Sequence, residues 1–376
     1  FGQKPFKFPP PDGFQPLTTA NTRPVNVISR PDQFVGVTTY SGSTGTGTIK
    51  DDNINFTPDF VWVKDRGGTE PHALYDTVRG AAGNGNFYRL SSNTTNGNNS
   101  PTNELTSMIR GGFTANNNGH IYYNGKYYVS WMWKAGGSKN TFNIDDVGYA
   151  SAAAAGLDGG NINPTGCSIG TQQGFSILKY AGNQGTGQTL NHGLGEIPDF
   201  VICKNLGTSY NWFIWHESFG NGADAAIYFT NAAKSTGYNT QPFGTFTTSS
   251  LAFNNNDGVN GNYNYICYAW KNVPGLQKFG SYSGNSNADG SFVELGFRPA
   301  LLWLKRTDST GNWVILDTRR NPSNPVTISA YADSNSDANY DPGQDWADIL
   351  SNGFKLRATY GEVNVGSYIY CAWAEA

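Results

Sequence analysis

Apolar residues along this chain come in short runs that are separated by clusters of Gly, Asn, Ser and Thr. The run at 60–64 alternates large aromatic residues with valine, and the run at 301–304 is apolar at every position. The runs at 128–133 and 265–270 are rich in aromatic and β-branched residues. Such runs predict β-strands, and strands that are apolar throughout predict a sheet covered on both faces.

One pattern of residues occurs three times. In every copy a proline is followed after six positions by a lysine, after twelve more by Asp or His, and after thirty-seven more by a phenylalanine. The positions, with the tryptophan near the end of each copy, are Pro58, Lys64, Asp76, Phe113 and Trp133; Pro198, Lys204, His216, Phe253 and Trp270; and Pro299, Lys305, Asp317, Phe354 and Trp373. Three separations kept in three copies indicate a duplicated unit.

The duplication predicts an all-β protein of three tandem β-sandwich repeats, of jelly-roll or concanavalin-like type, joined by linkers. The first and last strands of each copy are expected to pair and close the unit. The predicted boundaries are 31–136 for unit 1, 174–272 for unit 2 and 273–376 for unit 3. Residues 137–173 are predicted to be a small-residue-rich linker, with a short helical turn at its alanines. Residues 1–30 are a separate piece.

The recurring tryptophans and lysines are predicted to be structural. Trp133, Trp270 and Trp373 are expected to anchor the cores, because an indole buries a large apolar area. The lysine that ends a strand in each copy is expected to reach the rim of the sheet or to pair with a carboxylate. A catalytic Lys–Asp pair is disfavoured, since His216 replaces the aspartate in the second copy.

Composition supports a folded β-protein. Charged residues make up 14% of the chain and aromatic residues another 14%, a mixture too apolar for a disordered chain. A net charge of −3 and a pI near 5.8 give no overall basic field, so no nucleic-acid partner is predicted. No apolar stretch is long enough for a membrane span. The four cysteines lack metal-site spacing and are expected to be buried free thiols.

Several strings resemble structural proteins of marine cyanobacterium-infecting phages, in which such repeats follow a SPRY/concanavalin-like domain. The strings are 1–6 and 10–14, 58–64, 74–80, 133–136 and 143–152. The resemblance implies a tail-fibre-like component on the virion surface, and it implies no catalytic or binding residues. It also implies that 1–30 contains the terminal strand of an upstream SPRY-like domain, so the chain is expected to be a fragment or a processed product.

An acidic loop in unit 3 is a candidate calcium site. Asp333, Asn335, Asp337, Asn339 and Asp341 place oxygen ligands on alternate residues, the spacing with which a short loop wraps a calcium ion. The loop lacks the glycine after the third ligand and a final glutamate, so a solvated polar loop is the alternative. No cofactor other than calcium is predicted.

The loop at 122–127 of unit 1 is a candidate glycan site. Tyr122, Tyr123 and Tyr127 lie beside Asn and Gly, and exposed aromatic rings stack on sugar faces while amides bond hydroxyl groups. The alternative is that these rings extend the core.

An enzyme is disfavoured and no catalytic residue is predicted. A polysaccharide-degrading fibre enzyme needs two carboxylates at the scissile bond. The glutamates Glu70, Glu104 and Glu217 are available, and the sequence pairs none of them.

The leading hypothesis is a virion structural protein, in a tail fibre or another appendage, that contacts glycan on the host surface. The alternative is a capsid-decorating or cementing protein that binds other virion subunits. A homotrimer is expected, partly by analogy with phage fibres and spikes, which are built by threefold association of β-rich chains. The aromatic residues also exceed what three small sandwiches should need inside, and surplus aromatic surface marks interfaces. The alternative is a monomer whose aromatic loops bind sugar.

Overall fold

The computed structural model describes residues 27–339 and 343–374. Within them the chain is all-β and fits the β-sandwich class, and its only helical elements are two 3₁₀ turns, η1 (Pro31–Gln33) and η2 (Glu217–Phe219). The predicted strand in the first 26 residues lies outside the described residues.

Unit 1 forms two antiparallel sheets. Its strands are β1 (Val35–Ser41), β2 (Gly47–Lys50), β3 (Phe60–Asp65), β4 (Ala73–Asp76), β5 (Leu105–Ile109), β6 (Gly112–Ala115) and β7 (Tyr127–Trp133). The larger sheet has the order β1-β7-β3-β4 and the smaller one β2-β6-β5. The first strand pairs with the last, with Val35 opposite Trp133, so the expected pairing is confirmed.

Unit 2 repeats this order within a wider sheet. Its strands are β11 (Phe175–Ala181), β12 (Gln188–Asn191), β13 (Phe200–Asn205), β14 (Phe213–His216), β15 (Ala225–Ala226), β16 (Ser235–Thr236), β17 (Ser250–Phe253) and β18 (Asn264–Trp270). The order β14-β13-β18-β11 matches β4-β3-β7-β1, and the pairs β12-β17 and β15-β16 form small separate sheets.

Residues 137–173 extend the sheet of unit 2. They contain β8 (Phe142–Ile144), β9 (Val147–Tyr149) and β10 (Pro164–Gly170). Strand β10 pairs antiparallel with β11 and parallel with β8. The segment expected to be a linker is thus packed down as the edge of a sheet, because the mostly buried β10 supplies a partner that β11 would otherwise lack. Its alanines form a turn, in which Ala155 N–H bonds the carbonyl of Ser151.

Unit 3 has the same arrangement of larger and smaller sheets. Its strands are β19 (Gln277–Ser283), β20 (Phe292–Glu294), β21 (Pro299–Arg306), β22 (Val314–Asp317), β23 (Ala330–Tyr331), β24 (Ala347–Leu350), β25 (Gly353–Leu356) and β26 (Ser367–Ala374). The orders are β19-β26-β21-β22-β23 and β20-β25-β24. Strand β19 pairs with β26, with Gln277 opposite Trp373.

The larger sheet of unit 1 is buried on both faces. Val61 and Val63 of β3 belong to a core that also contains Phe113 of the smaller sheet. The alternate residues Phe60 and Trp62 belong to a second core, which collects residues from all three units. Successive side chains of a strand point to opposite faces, so one strand contributes to both cores. The prediction of a sheet covered on both faces is confirmed.

The tryptophans that close the units meet in this shared core. The ring centroid of Trp133 lies 6.5 Å from that of Trp270 and 5.5 Å from that of Trp373, and the last two are 6.3 Å apart. All three contacts are edge-to-face, a geometry worth about 0.5–1.5 kcal/mol per pair beyond area burial. These residues are core anchors as predicted, and the core they anchor is shared between the units.

The tryptophan side chains are covered inside the single chain. All ten tryptophans are buried, and the shared core joins surfaces that separate sandwiches would expose. The tryptophans therefore give no support to a homotrimer, although Tyr123, Tyr127, Tyr263 and Phe292 are exposed. The homotrimer itself stays a prediction.

Buried carboxylates link unit 1 to both of its neighbours. Tyr268 of unit 2 donates its hydroxyl hydrogen to Asp76 of unit 1 over 2.8 Å. Trp131 of unit 1 donates its indole N–H to Asp317 of unit 3 over 3.0 Å. Each aspartate also pairs with the arginine three residues later in its own unit. Tyr268 and Trp131 lie at equivalent positions, so the same contact is made twice.

The third contact of this kind uses a histidine. His216 of unit 2 lies where the other units have aspartate, and Cys371 of unit 3 lies where they have tyrosine or tryptophan. A thiol is a weak donor, so a carboxylate here would lack a strong partner. His216 accepts from the backbone N–H of Ser218 through Nδ1 and donates through Nε2 to the carbonyl of Tyr370 over 3.3 Å. Burial lowers the pKa of His216 to about 4, which keeps the ring neutral.

Candidate functional site

The recurring lysines lie at the contacts between units. Lys64, Lys204 and Lys305 are fully buried, and each ammonium donates to a backbone carbonyl of a neighbouring unit. The acceptors are Asn335 at 3.3 Å, Thr95 at 2.9 Å and Thr230 at 3.0 Å, respectively. The sequence predicts that these lysines reach the rim of the sheet or pair with a carboxylate; instead each donates to backbone carbonyls, because a loop of the neighbouring unit covers the strand end. Burial lowers the pKa of Lys204 to about 7 and that of the other two to about 8.

A second set of three hydrogen bonds between units holds the same loops. The residues eight positions after the lysines are His72, Trp212 and Trp313, and each bonds a backbone carbonyl of the neighbouring unit. The acceptors are Tyr331 at 2.9 Å, Ser91 at 3.0 Å and Tyr228 at 2.7 Å. His72 Nδ1 accepts the indole N–H of Trp62, so Nε2 carries the hydrogen that is donated.

Loops held in this way surround a polar cavity of about 380 Å³, here called the loop-end pocket. Residues of all three units line it: 92–95 of unit 1; 211–212 and 229–231 of unit 2; and Asn312 with 333–334 of unit 3. Most of these side chains are hydroxyls and amides. Trp212 and Phe229 add aromatic surface, and Asp333 is the charged lining residue.

Some polar groups of the pocket are already engaged within the protein. Asp333 accepts the backbone N–H of Trp313 over 2.8 Å, and burial raises the pKa of its carboxyl. Asn312 donates to Glu362 over 3.0 Å. The side chains of Asn211 and Asn231, by contrast, make no hydrogen bond to any residue that the structure describes. These two amides are therefore available to a ligand.

The predicted calcium ligands that the structure describes take part in hydrogen bonds within the protein. Asp333 bonds a backbone N–H of its own unit, and Asp337 accepts the N–H of Asn339 over 3.0 Å. Asn339 also accepts from an arginine of unit 1, and the carbonyl of Asn335 accepts from the lysine of unit 1. Asp341 lies outside the described residues. In the described part of the chain no three His, Cys, Asp or Glu residues are placed to hold a metal. Calcium binding stays a prediction.

The predicted glycan-binding tyrosines differ in exposure. Tyr123 and Tyr127 are exposed, at 49% and 60%. Tyr122 is half-buried and packs against the core of unit 1, where a Cβ on Gly47 would lie 2.1 Å from its ring. Tyr122 thus extends the core, while Tyr123 and Tyr127 remain open to a ligand.

The glutamates considered for catalysis have separate surroundings. Glu104 is buried and bonds Tyr75 over 2.5 Å and Arg89. Glu70 lies 3.4 Å from Lys126. Glu217 begins η2 in unit 2, and burial raises the pKa of its carboxyl. None of these contacts brings two of the three together.

The fold and the pocket together define an all-β protein whose three sequence units share one core and enclose a polar cavity. A family model described as Domain of unknown function (DUF7483) matches residues 30–376, so the chain belongs to that family. The match spans all three units and residues 137–173, the same stretch that the shared core holds together. No curated protein and no solved structure matches the chain. No helix among the described residues is long and apolar enough to cross a membrane.

Sequence reasoning missed the loop-end pocket. Its free amides, Asn211 and Asn231, lie in loops that vary between the copies. A signal for the surrounding contacts was present, because the residue eight positions after each lysine is a ring that carries an N–H group. That regularity indicates a shared structural role, but it does not identify the carbonyl that accepts the hydrogen bond.

Proposed function

We propose that the chain is a structural protein of a bacteriophage virion, in a tail fibre or another surface appendage, and that it contacts glycan on the host surface. The loop-end pocket carries this proposal. It presents amide and hydroxyl groups beside aromatic surface, and that mixture suits a ligand rich in hydroxyls. The sequence resemblance to phage structural proteins supports the virion setting.

The way the units are joined also suits a mechanical role. The shared core, the buried carboxylates and the lysine contacts connect each unit to the other two. A body connected in this way keeps its binding loops in place under load, because moving one unit exposes aromatic surface and leaves buried polar groups unpaired.

We also propose that the units are three copies of one small sandwich of jelly-roll or concanavalin-like type. The recurrent order of the larger sheets supports this, as do the smaller sheets that pack on them in units 1 and 3.

Binding to host polysaccharide tests the glycan role. The purified chain should bind cell-surface polysaccharide from a susceptible host and should slow adsorption of the phage. Failure to bind polysaccharides across host strains would refute the role.

Electron cryo-microscopy of intact particles tests the location. Density for the chain on the tail is expected. Density on the head would favour the alternative of capsid decoration, in which the same surfaces meet other virion subunits.

A further inference from the structure

The loop-end pocket has the size and the walls of a small-ligand site. Its volume of about 380 Å³ lies near the lower end of the range for such sites. Three units contribute to it, and the contacts of Lys204 and Trp212 with unit 1 hold two of its walls together. A pocket whose walls are fixed in this way loses little entropy when it binds a ligand.

We propose that the loop-end pocket binds one uncharged sugar residue of a glycan chain, with the amides of Asn211 and Asn231 bonding its hydroxyl groups. This proposal rests on the proposed function and assigns it to a site. An amide both donates and accepts hydrogen bonds, as a sugar hydroxyl does. The two amides have no partner among the described residues, so binding breaks no hydrogen bond within the protein.

The charge in the pocket selects against acidic sugars. Asp333 is the charged residue among those that line it, and no lysine or arginine does so in the described part of the chain. Lys204 and Lys305 lie behind the walls and are fully buried against backbone carbonyls. The cation that interacts with Asp333 is Lys305, whose ammonium already donates to the carbonyls of Thr230 and Gly311. A uronate would therefore bring a second carboxylate toward Asp333 without a free cation to pair with it, whereas a neutral hexose avoids that repulsion.

Aromatic surface completes the site. Trp212 and Phe229 line the pocket and contact each other edge-to-face, with ring centroids 5.7 Å apart. A CH-rich sugar face can lie against such surface while its hydroxyls reach the amides. Because the indole is at the site, binding should change its fluorescence.

The test compares two sets of variants in the full chain. Glucose, galactose, mannose, N-acetylglucosamine and glucuronate are titrated while saturation-transfer NMR and tryptophan fluorescence are recorded, and host polysaccharide binding is measured in parallel. One variant combines Asn211→Ala with Asn231→Ala. The matched variant combines Tyr123→Ala with Tyr127→Ala in the exposed loop of unit 1. Thermal unfolding confirms that each variant is folded.

At least one neutral sugar should bind, with affinity at least tenfold weaker in the asparagine variant and unchanged in the tyrosine variant. If polysaccharide binding is lost only in the tyrosine variant, the pocket assignment is wrong and the glycan role stands. If the natural chain binds neither sugar nor polysaccharide, the glycan role itself fails. Tighter binding of glucuronate than of every neutral sugar would overturn the charge argument.

Discussion

The hydrogen bond between Tyr268 and Asp76 gives a direct measure of how firmly units 1 and 2 are joined. Tyr268→Phe removes one hydroxyl from a fully buried position and leaves Asp76 with its arginine partner. A hydrogen bond to a charged group contributes about 1.5–3 kcal/mol, so the free energy of unfolding should fall by about 2 kcal/mol. For a chain of this length that loss corresponds to a decrease in Tm of about 3 °C.

Chemical unfolding followed by tryptophan fluorescence measures this loss, and Tyr370→Phe is the matched control. Tyr370 lies on the closing strand of unit 3, and its hydroxyl has no hydrogen bond with the described residues. The control should cost under about 0.5 kcal/mol, the range of substitutions away from specific interactions. Equal effects of the two substitutions would refute the reasoning, since the loss would then reflect general packing.

Three further predictions follow from the shared core and the buried polar groups. The separate fragment 174–272 should aggregate or fail to fold, because its aromatic face would be exposed; a soluble monomer with a cooperative melt would contradict this. Lys204→Met should flatten the pH dependence of stability between pH 7 and 10.5. In that range the unfolded lysine holds a proton that the folded one has lost, so stability of the natural chain rises by about 1 kcal/mol per pH unit relative to the variant; parallel unfolding curves would disprove it. Burial lowers the pKa of His72 to about 3 and those of His192 and His216 to about 4, so acid should destabilise the chain as pH falls from 6.5 toward 4, where the unfolded histidines take up protons that the folded ones do not. Unfolding midpoints that are independent of pH over this interval would contradict the histidine assignment.

The fold class could be predicted from the sequence because strand signals are local. Short apolar runs, turn residues and constant separations identify strands and copies without any knowledge of their packing. Pairing within a unit follows as well, since Phe175 and Trp270 at the two ends of unit 2 lie opposite each other in the sheet. A glycine also recurs after the first strand of each copy, as Gly42, Gly182 and Gly284. The structure shows why at one of these positions, since a Cβ on Gly182 would lie 2.1 Å from the carbonyl oxygen of Gly261.

Contacts between the units could not be predicted in the same way. A buried tryptophan has the same sequence signature whether its own sandwich or a neighbouring unit covers it. The surroundings of the lysines could not be predicted for a related reason: the acceptors of Lys64 and Lys204 are backbone carbonyls, which every residue type carries. The pocket depends on these contacts and therefore could not be predicted either.

Differences between the copies show that the residues which meet at a contact between two units differ together. This observation gives a final prediction. Unit 2 has His216 and Phe219 where the other units have a buried Asp–Arg pair, and Cys371 of unit 3 occupies the position at which the other units have a strong donor. His216→Asp alone should cost about 3–5 kcal/mol, because it places an unpaired carboxylate in the core. Adding Phe219→Arg supplies the counterion of the other units and should restore part of that loss, whereas His216→Asn, which is uncharged, should cost less than His216→Asp. Unfolding midpoints of the three variants measure these differences. A double variant no more stable than His216→Asp would show that the buried Asp–Arg pair of the other units cannot be transferred to unit 2.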